Sequence, residues 1–337
     1  MRDKVEALGA PLERLLGKSQ PSGRVVLDAR YDIVYGTRHG LAMQRRALFE
    51  TLLDIARDAG ADVRFGLEVT SADGATGWVT TATGEDFEAD LVVDALGSRS
   101  PLCPRPGREL SYGALWGMFA WPDDECVFSR TRLEQRYYRA SNMAGVLPLG
   151  RSATDPTFRA AYFWSIPTAK MAAWRAAPIE DWKAEAQTLW PETAPLLSQI
   201  RTHNDLIEAR YLHRTLPNPV AGRLVHMGDS WHASSPQLGQ GANMGLLDAA
   251  SLALALRQGP NLAEASRDFH GRRRWHLAIY QAASRIFTPV YQSDSRLLPW
   301  VRDQLLSRVS YGWPASALIS AMVAGTMGYP LRQLDLE

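Results

Sequence analysis

Several things are scarce in this sequence, and each scarcity narrows what the protein can be. Cysteine occurs only at Cys103 and Cys126. Two thiols are too few for a disulfide framework and match a reducing cytoplasm. Lysine stands only at Lys4, Lys18, Lys170 and Lys183, so arginine carries nearly all the positive charge. Basic and acidic side chains nearly cancel, 37 against 36, leaving a net charge of +1. A balance this even points away from nucleic acid and anionic membranes as partners. No apolar run reaches spanning length. The nearest, Ala315 to Met327, is short and broken by serine and glycine, and reads as a C-terminal packing helix. Met1 is followed by charged Arg2-Asp3-Lys4 instead of the apolar core of a signal peptide. There is no internal repeat and no low-complexity linker.

What is present is an ordinary globular composition. The 337 residues are 46% hydrophobic and 22% charged, enough for two domains or for one domain with a large insertion. Leu41 to Ala59 has helical spacing, with Leu48, Leu52, Ile55 and Ala56 on one face and Gly60 as a stop. Val63, Phe65, Leu67 and Val69 alternate as in a strand, and Trp78-Val79-Thr80 begins another. Leu91-Val92-Val93, apolar on both faces, suits a central parallel strand. From about Ser111 to Pro167 aromatic and β-branched stretches alternate with turn residues, the grammar of an antiparallel sheet. Helices follow between Thr168 and Ile200, broken at Trp190-Pro191, and a strand returns at Arg223 to Met227. The expected organisation is discontinuous: an α/β domain over residues 1–108, a β-rich insertion with helices over 109–215, and α/β structure with C-terminal helices over 216–337.

The most informative stretch begins at Gly228-Asp229 and runs through Pro236, Gly239, Gly241, Ala242 and Asn243 to Asp248. A strand delivers a carboxylate at its carboxyl end, where α/β sheets bind ligands. Gly239 and Gly241 let the backbone approach a flat ligand, and the amides that open the following helix favour negative charge. This stretch resembles the second flavin motif of the para-hydroxybenzoate hydroxylase-like flavoprotein monooxygenases. By that resemblance Asp229 contacts the ribitol and diphosphate region of FAD, Pro236 lies beside the isoalloxazine, and Gly239, Gly241, Ala242 and Asn243 face its pyrimidine edge.

Two further segments are similar to the same family. Gln44-Arg45-Arg46 resembles the arginine-bearing helix that reaches the cofactor, which implies that Arg45 binds the FAD phosphates or ribose. Asp90 to Ser100 resembles the strand-plus-Asp-Gly motif that leads to Gly97 beside the FAD. Leu96 stands where the family has aspartate, on the route used by the nicotinamide cofactor. The family's opening strand, G-x-G-x-x-G turn and helix have no counterpart among Gly9, Gly17 and Gly23. Met1 to Leu16 instead resembles the helix that follows that unit, so the resemblance starts late by roughly the 30 residues of a βαβ unit.

The resemblance implies an α/β FAD-binding domain truncated at its N-terminus and interrupted by an antiparallel β-sheet substrate domain. The implied activity is a monooxygenase that uses NAD(P)H to reduce FAD and inserts one atom of molecular oxygen into an aromatic or other electron-rich small molecule. It names no catalytic side chain. The substrate pocket is expected between the β-rich insertion and the flavin, along Trp116, Phe119, Tyr162 and Trp164. Two alternatives stay open. Tyr162-Phe163-Trp164-Ser165-Ile166-Pro167 is one residue away from the W-x-W-x-I-P element of flavin-dependent halogenases, within a wider class of FAD oxidoreductases that includes reductases. The other is a truncated chain that binds FAD poorly and has no activity. His213, His226 and His232 lack metal-ligand spacing and read as structural, with no metal expected. No G-x-S-x-G precedes Ser234-Ser235, which excludes a hydrolase elbow.

Overall fold

The computed structural model describes residues 2–34, 36–37, 39–122, 126–306, 312 and 314–334. The chain divides into two compact units, Met1–Asp62 with Ser111–Arg210 and Thr288–Ala324, and Val63–Leu110 with Tyr211–Phe287 and Gly325–Glu337. Among the described residues helices and sheets are both present, a mixed α/β arrangement with one large sheet and several small ones.

The first unit is built on a seven-stranded sheet. Across it run Ile207–Ala209, Tyr112–Ala120, Arg159–Pro167, Asn142–Gly150, Arg132–Tyr138, Arg14–Ser19 and Val25–Arg30. All neighbours are antiparallel except Arg14–Ser19, which pairs parallel with Arg132–Tyr138. Successive side chains point to opposite faces, and here the two faces have different fates. Leu115, Phe119, Tyr162, Trp164 and Ile166 share one face and pack into the core with Trp174, Trp182 and Trp190 from the following helices. Register decides this: Leu115 lies opposite Trp164 and Gly117 opposite Tyr162, whereas Trp116 lies opposite Phe163 on the reverse face. Trp116 and Phe163 stay partly exposed there.

Residues 10–30 correct the expected helix over Met1 to Leu16. Only Arg2–Leu8 is helical, and Gly9-Ala10-Pro11 turns the chain into strands. Leu15 and Leu16 are buried in the sheet. These strands place the first 62 residues with the seven-stranded sheet, a different grouping from the expected 1–108 domain. The alternation at Val63 to Val69 also misled: residues 63–68 form no strand, and pairing begins at Val69. Alternation without a partner to receive the backbone hydrogen bonds makes no sheet.

In the second unit Leu224–His226 pairs parallel with Val92–Asp94, and Val220–Ala221 flanks it antiparallel. A short helix Asp229–His232 follows, then a turn at Pro236–Leu238, then the helices Gly241–Gln258 and Leu262–Tyr291. Met244, Leu247, Leu252, Phe269 and Leu277 are buried on these helices. No helix among the described residues is long and apolar enough to cross a membrane.

Candidate flavin site

The parallel strand Leu224–His226 is buried at all three residues, and its carboxyl end releases Gly228 in a backbone conformation with φ 58°. From there exposed and buried residues alternate in a useful way. Asp229, Pro236, Gly239, Gly241 and Ala242 are exposed and Asn243 is partly so, while Ser230, Trp231, His232, Ser235, Met244 and Asp248 are buried. The motif is therefore an exposed ledge on a buried footing.

The ledge suits a flat ligand at two glycines for different reasons. Gly239 has φ 66°, a conformation L side chains rarely adopt, and Gly241 opens the helix. A methyl group added at either would meet no atom within 4 Å, so both leave open space for a ligand to come against the backbone. Gln240, at the N-cap, makes no capping bond with its side chain. The first amides of Gly241–Gln258 have no carbonyl of their own helix to bond, and the helix dipole adds positive potential there. Asn243 Nδ2 donates to Gln240 Oε1 at 2.7 Å, which holds both side chains at the helix entry.

The footing is a network of buried charges. Asp248 accepts the Gly228 N–H at 2.9 Å, His232 Nε2 at 2.6 Å and Arg273 Nε at 2.7 Å. Burial pushes the Asp248 carboxyl up. The His232 hydrogen bond and charge and the Arg273 guanidinium more than offset this and hold it below the usual carboxylate range. Arg273 Nη1 contacts His276 Nδ1 at 2.7 Å, and His276 Nε2 contacts the Gly325 carbonyl at 3.2 Å. Gln281 Nε2 donates to the His232 carbonyl at 2.9 Å. Ser235 Oγ and Gln281 Oε1 border a small cleft with Asp229, Gly241 and Tyr280, buried and with no hydrogen-bond partner among the described residues. Two orphaned polar atoms beside the ledge fit a polar ligand or its ordered water.

Gly97 comes to the same unit through Asp94. The Asp94 carboxylate accepts from His226 Nδ1 at 2.7 Å, Ser100 Oγ at 2.8 Å and the Leu96 N–H at 3.0 Å. Burial opposes this charge first, but the His226, Leu96 and Ser100 bonds outweigh it and depress its pKa. Asp94 thus faces inward and shapes the turn that carries Gly97, while Leu96 is exposed. Arg214 Nη2 donates to the carbonyls of both Gly97 and Asp229, at 3.4 and 3.1 Å, which brings the two loops together. Arg45 belongs to the other unit, where its guanidinium lies 5.6 Å from the centre of the Trp116 ring.

The pocket expectation needs correction. Phe119, Tyr162 and Trp164 are 6%, 0% and 3% exposed and sealed in the core beneath the helices, so they line no accessible surface. Of the four, only Trp116 is partly exposed; it lies on the reverse face of the sheet, opposite Phe163. Asp248, Arg273 and Arg214 are the supporting residues that motif reading passed over. Asp248 closes the same motif, but its partners come from distant parts of the chain. His226 and His232 pair with Asp94 and Asp248, and no cluster of three metal-ligating side chains exists among the described residues.

A sequence model of the FAD binding domain family matches residues 11–267. The FAD-dependent urate hydroxylase of Klebsiella pneumoniae is 27% identical over 81% of this chain and 71% of its own length. A 3-(3-hydroxy-phenyl)propionate/3-hydroxycinnamic acid hydroxylase of Burkholderia cenocepacia is 32% identical over 40% of this chain, which spans 26% of that protein. Among solved structures, Klebsiella pneumoniae HpxO complexed with FAD and uric acid superimposes with a TM-score of 0.78 at 21% identity, over 98% of this chain and 84% of that one. Pseudomonas aeruginosa PqsL in complex with 2-aminobenzoylacetate gives 0.73 at 20% identity, over 88% and 83%. At those identities the structures establish the shared fold. With the family model covering most of the chain, this protein belongs to the FAD binding domain family, among the flavoprotein monooxygenases of the aromatic-hydroxylase type.

Proposed function

We propose that the chain inserts one oxygen atom from molecular oxygen into a planar aromatic or heteroaromatic small molecule, with NAD(P)H as reductant and in the cytoplasm. The observation that carries this reading is the exposed ledge from Asp229 to Asn243 on its buried Asp248 footing. FAD, when bound, supplies the activation of oxygen. The protein's own residues do the rest. Asp229 holds the ribitol and diphosphate region, and Pro236 lies against the ring system. The amides at Gly241, Ala242 and Asn243 favour the negative charge that a reduced flavin carries on its pyrimidine side. Gly97 completes the support, and Arg45 presents a guanidinium suited to a phosphate.

For the substrate, Trp116 and Phe163 are partly exposed on the face of the seven-stranded sheet turned away from its tryptophan-lined core. Partly exposed aromatic rings there would give a planar aromatic an apolar surface to lie against. The relatives act, by their names, on urate and hydroxyphenyl-propionate, which supports a planar, electron-rich substrate class here. Purified chain mixed with FAD should keep a visible flavin band through gel filtration. NAD(P)H oxidation should then rise when a hydroxylated aromatic or purine is added, with labelled oxygen entering the product. A colourless, folded protein would reject the reading.

A further inference from the structure

Arg214 stands just after the short strand Leu212–His213 and is 7% exposed. Its Nη2 reaches the carbonyl oxygens of Asp229 and Gly97, and Nη1 reaches that of Arg105 at 3.4 Å. Its Nε is buried without a partner, and no carboxylate pairs with it among the described residues. Arginine cannot shed its proton, so the charge persists in place. A desolvated cation resting on carbonyl dipoles alone is a poor way to stabilise a core. Arg273, a buried arginine of the same unit, has Asp248 as its counter-charge.

The position of that charge accounts for it. Gly97 and Asp229 belong to separate loops at the carboxyl ends of the paired strands Val92–Asp94 and Leu224–His226. One guanidinium nitrogen takes a carbonyl from each, so the gap between the loops is set by the width of a single planar group. We propose that Arg214 is a positioning residue for the cofactor. It clamps the Gly97 and Asp229 backbones at a fixed separation, and its uncompensated charge makes that gap receptive to a diphosphate anion. This rests on the flavin reading above.

The clamp itself is open to test on the chain without flavin. Amide hydrogen exchange would be followed at Leu96 and Ser100 in one loop and at Trp231 and His232 in the other, in wild type, Arg214→Lys and Arg214→Met. In Arg214→Met both loops should exchange at least tenfold faster together, while the amides of Gly241–Gln258 and the seven-stranded sheet keep their protection. Arg214→Lys, which keeps a charge but loses the planar fork, should fall between. FAD affinity should follow the same order, weakening tenfold or more in Arg214→Met and less in Arg214→Lys. The affinity for riboflavin, which lacks phosphate, should drop less than that for FAD. An exchange change in one loop only, a change spread over the whole unit, or FAD bound by Arg214→Met as by wild type would each overturn the proposal. If Arg214→Met fails to fold, unchanged exchange in Arg214→Lys overturns it and coupled faster exchange supports it. Wild type that takes up no FAD would sink the flavin reading, while the exchange result would still decide the clamp.

Discussion

Asp248 accepts the backbone N–H of Gly228 at 2.9 Å, so the residue before Asp229 is fixed by a carboxylate from the helix that follows the flavin loop. The same carboxylate is the counter-charge of Arg273, and both side chains are about 1% exposed or less. The start and end of the motif are thus tied by one buried anion.

Asp248→Ala should be among the most damaging single changes. It leaves the Arg273 charge buried without a carboxylate and frees Gly228, and removing one partner of a buried pair costs about 3–5 kcal/mol. Urea denaturation should show a loss of this size, together with weaker FAD retention. A loss below about 1 kcal/mol would mean that the network does not carry the loop.

His276 makes stability depend on pH. In the unfolded chain its imidazole takes a proton near 6.5, whereas burial and the adjacent Arg273 lower the folded value to about 4. Between these values the unfolded chain binds the extra proton. Its contribution is therefore fully present above 6.5 and is lost as pH falls towards 4, on the order of 3 kcal/mol in all. Asp248 and Asp94 act lower, because their depressed values place their losses below the ordinary carboxylate range. Melting temperatures of wild type and His276→Gln compared between pH 7 and 4 should diverge, with the variant showing the shallower slope.

The two glycines of the ledge should separate stability from binding. Gly239→Ala forces a side chain into φ 66° and should cost about 1 kcal/mol while also weakening FAD. Gly241→Ala carries no such strain and faces open space, so unfolding should change by less than about 0.5 kcal/mol. FAD affinity should nonetheless fall, since the new methyl occupies the face left open for the ring. Flavin titration beside denaturant unfolding reads both effects, and full FAD affinity in Gly241→Ala would remove the glycine from the site.

Arg45→Ala should weaken FAD about tenfold, the loss of one charge-assisted contact of ~1.5 kcal/mol. Arg45 is exposed and its ring contact with Trp116 is worth about 0.5–1 kcal/mol, so the fold should tolerate the change. Trp116→Ala should raise the KM of the aromatic substrate and, by removing the ring under the Arg45 guanidinium, weaken FAD less than Arg45→Ala does. Phe119→Ala should instead lower stability by about 3–5 kcal/mol, because that ring belongs to the core.

The local geometry of the candidate site was legible because one short stretch sets it. Asp229, Pro236, Gly239, Gly241, Ala242 and Asn243 lie within fifteen residues of one another, and a strand end, a glycine turn and a helix start place them on one ledge whatever surrounds them. The helix at Arg45–Asp58 and the strand at Leu224 were legible for the same reason, apolar periodicity or continuous apolarity, whereas Val92–Asp94, expected to be central, is parallel but lies at the edge of its three-stranded sheet with Val93 exposed. Tertiary structure decided everything that needed a partner from far along the chain. Whether Trp116 or Phe119 enters the tryptophan-lined core depends on which face of the sheet the helices cover, and period-two alternation is symmetric until they arrive. The pairing of Arg14–Ser19 with Arg132–Tyr138, the Asp248–Arg273 ion pair and the Arg214 bridge join segments whose separation no local pattern encodes. Sequence determined which backbone could meet a flavin, and packing determined what holds that backbone still.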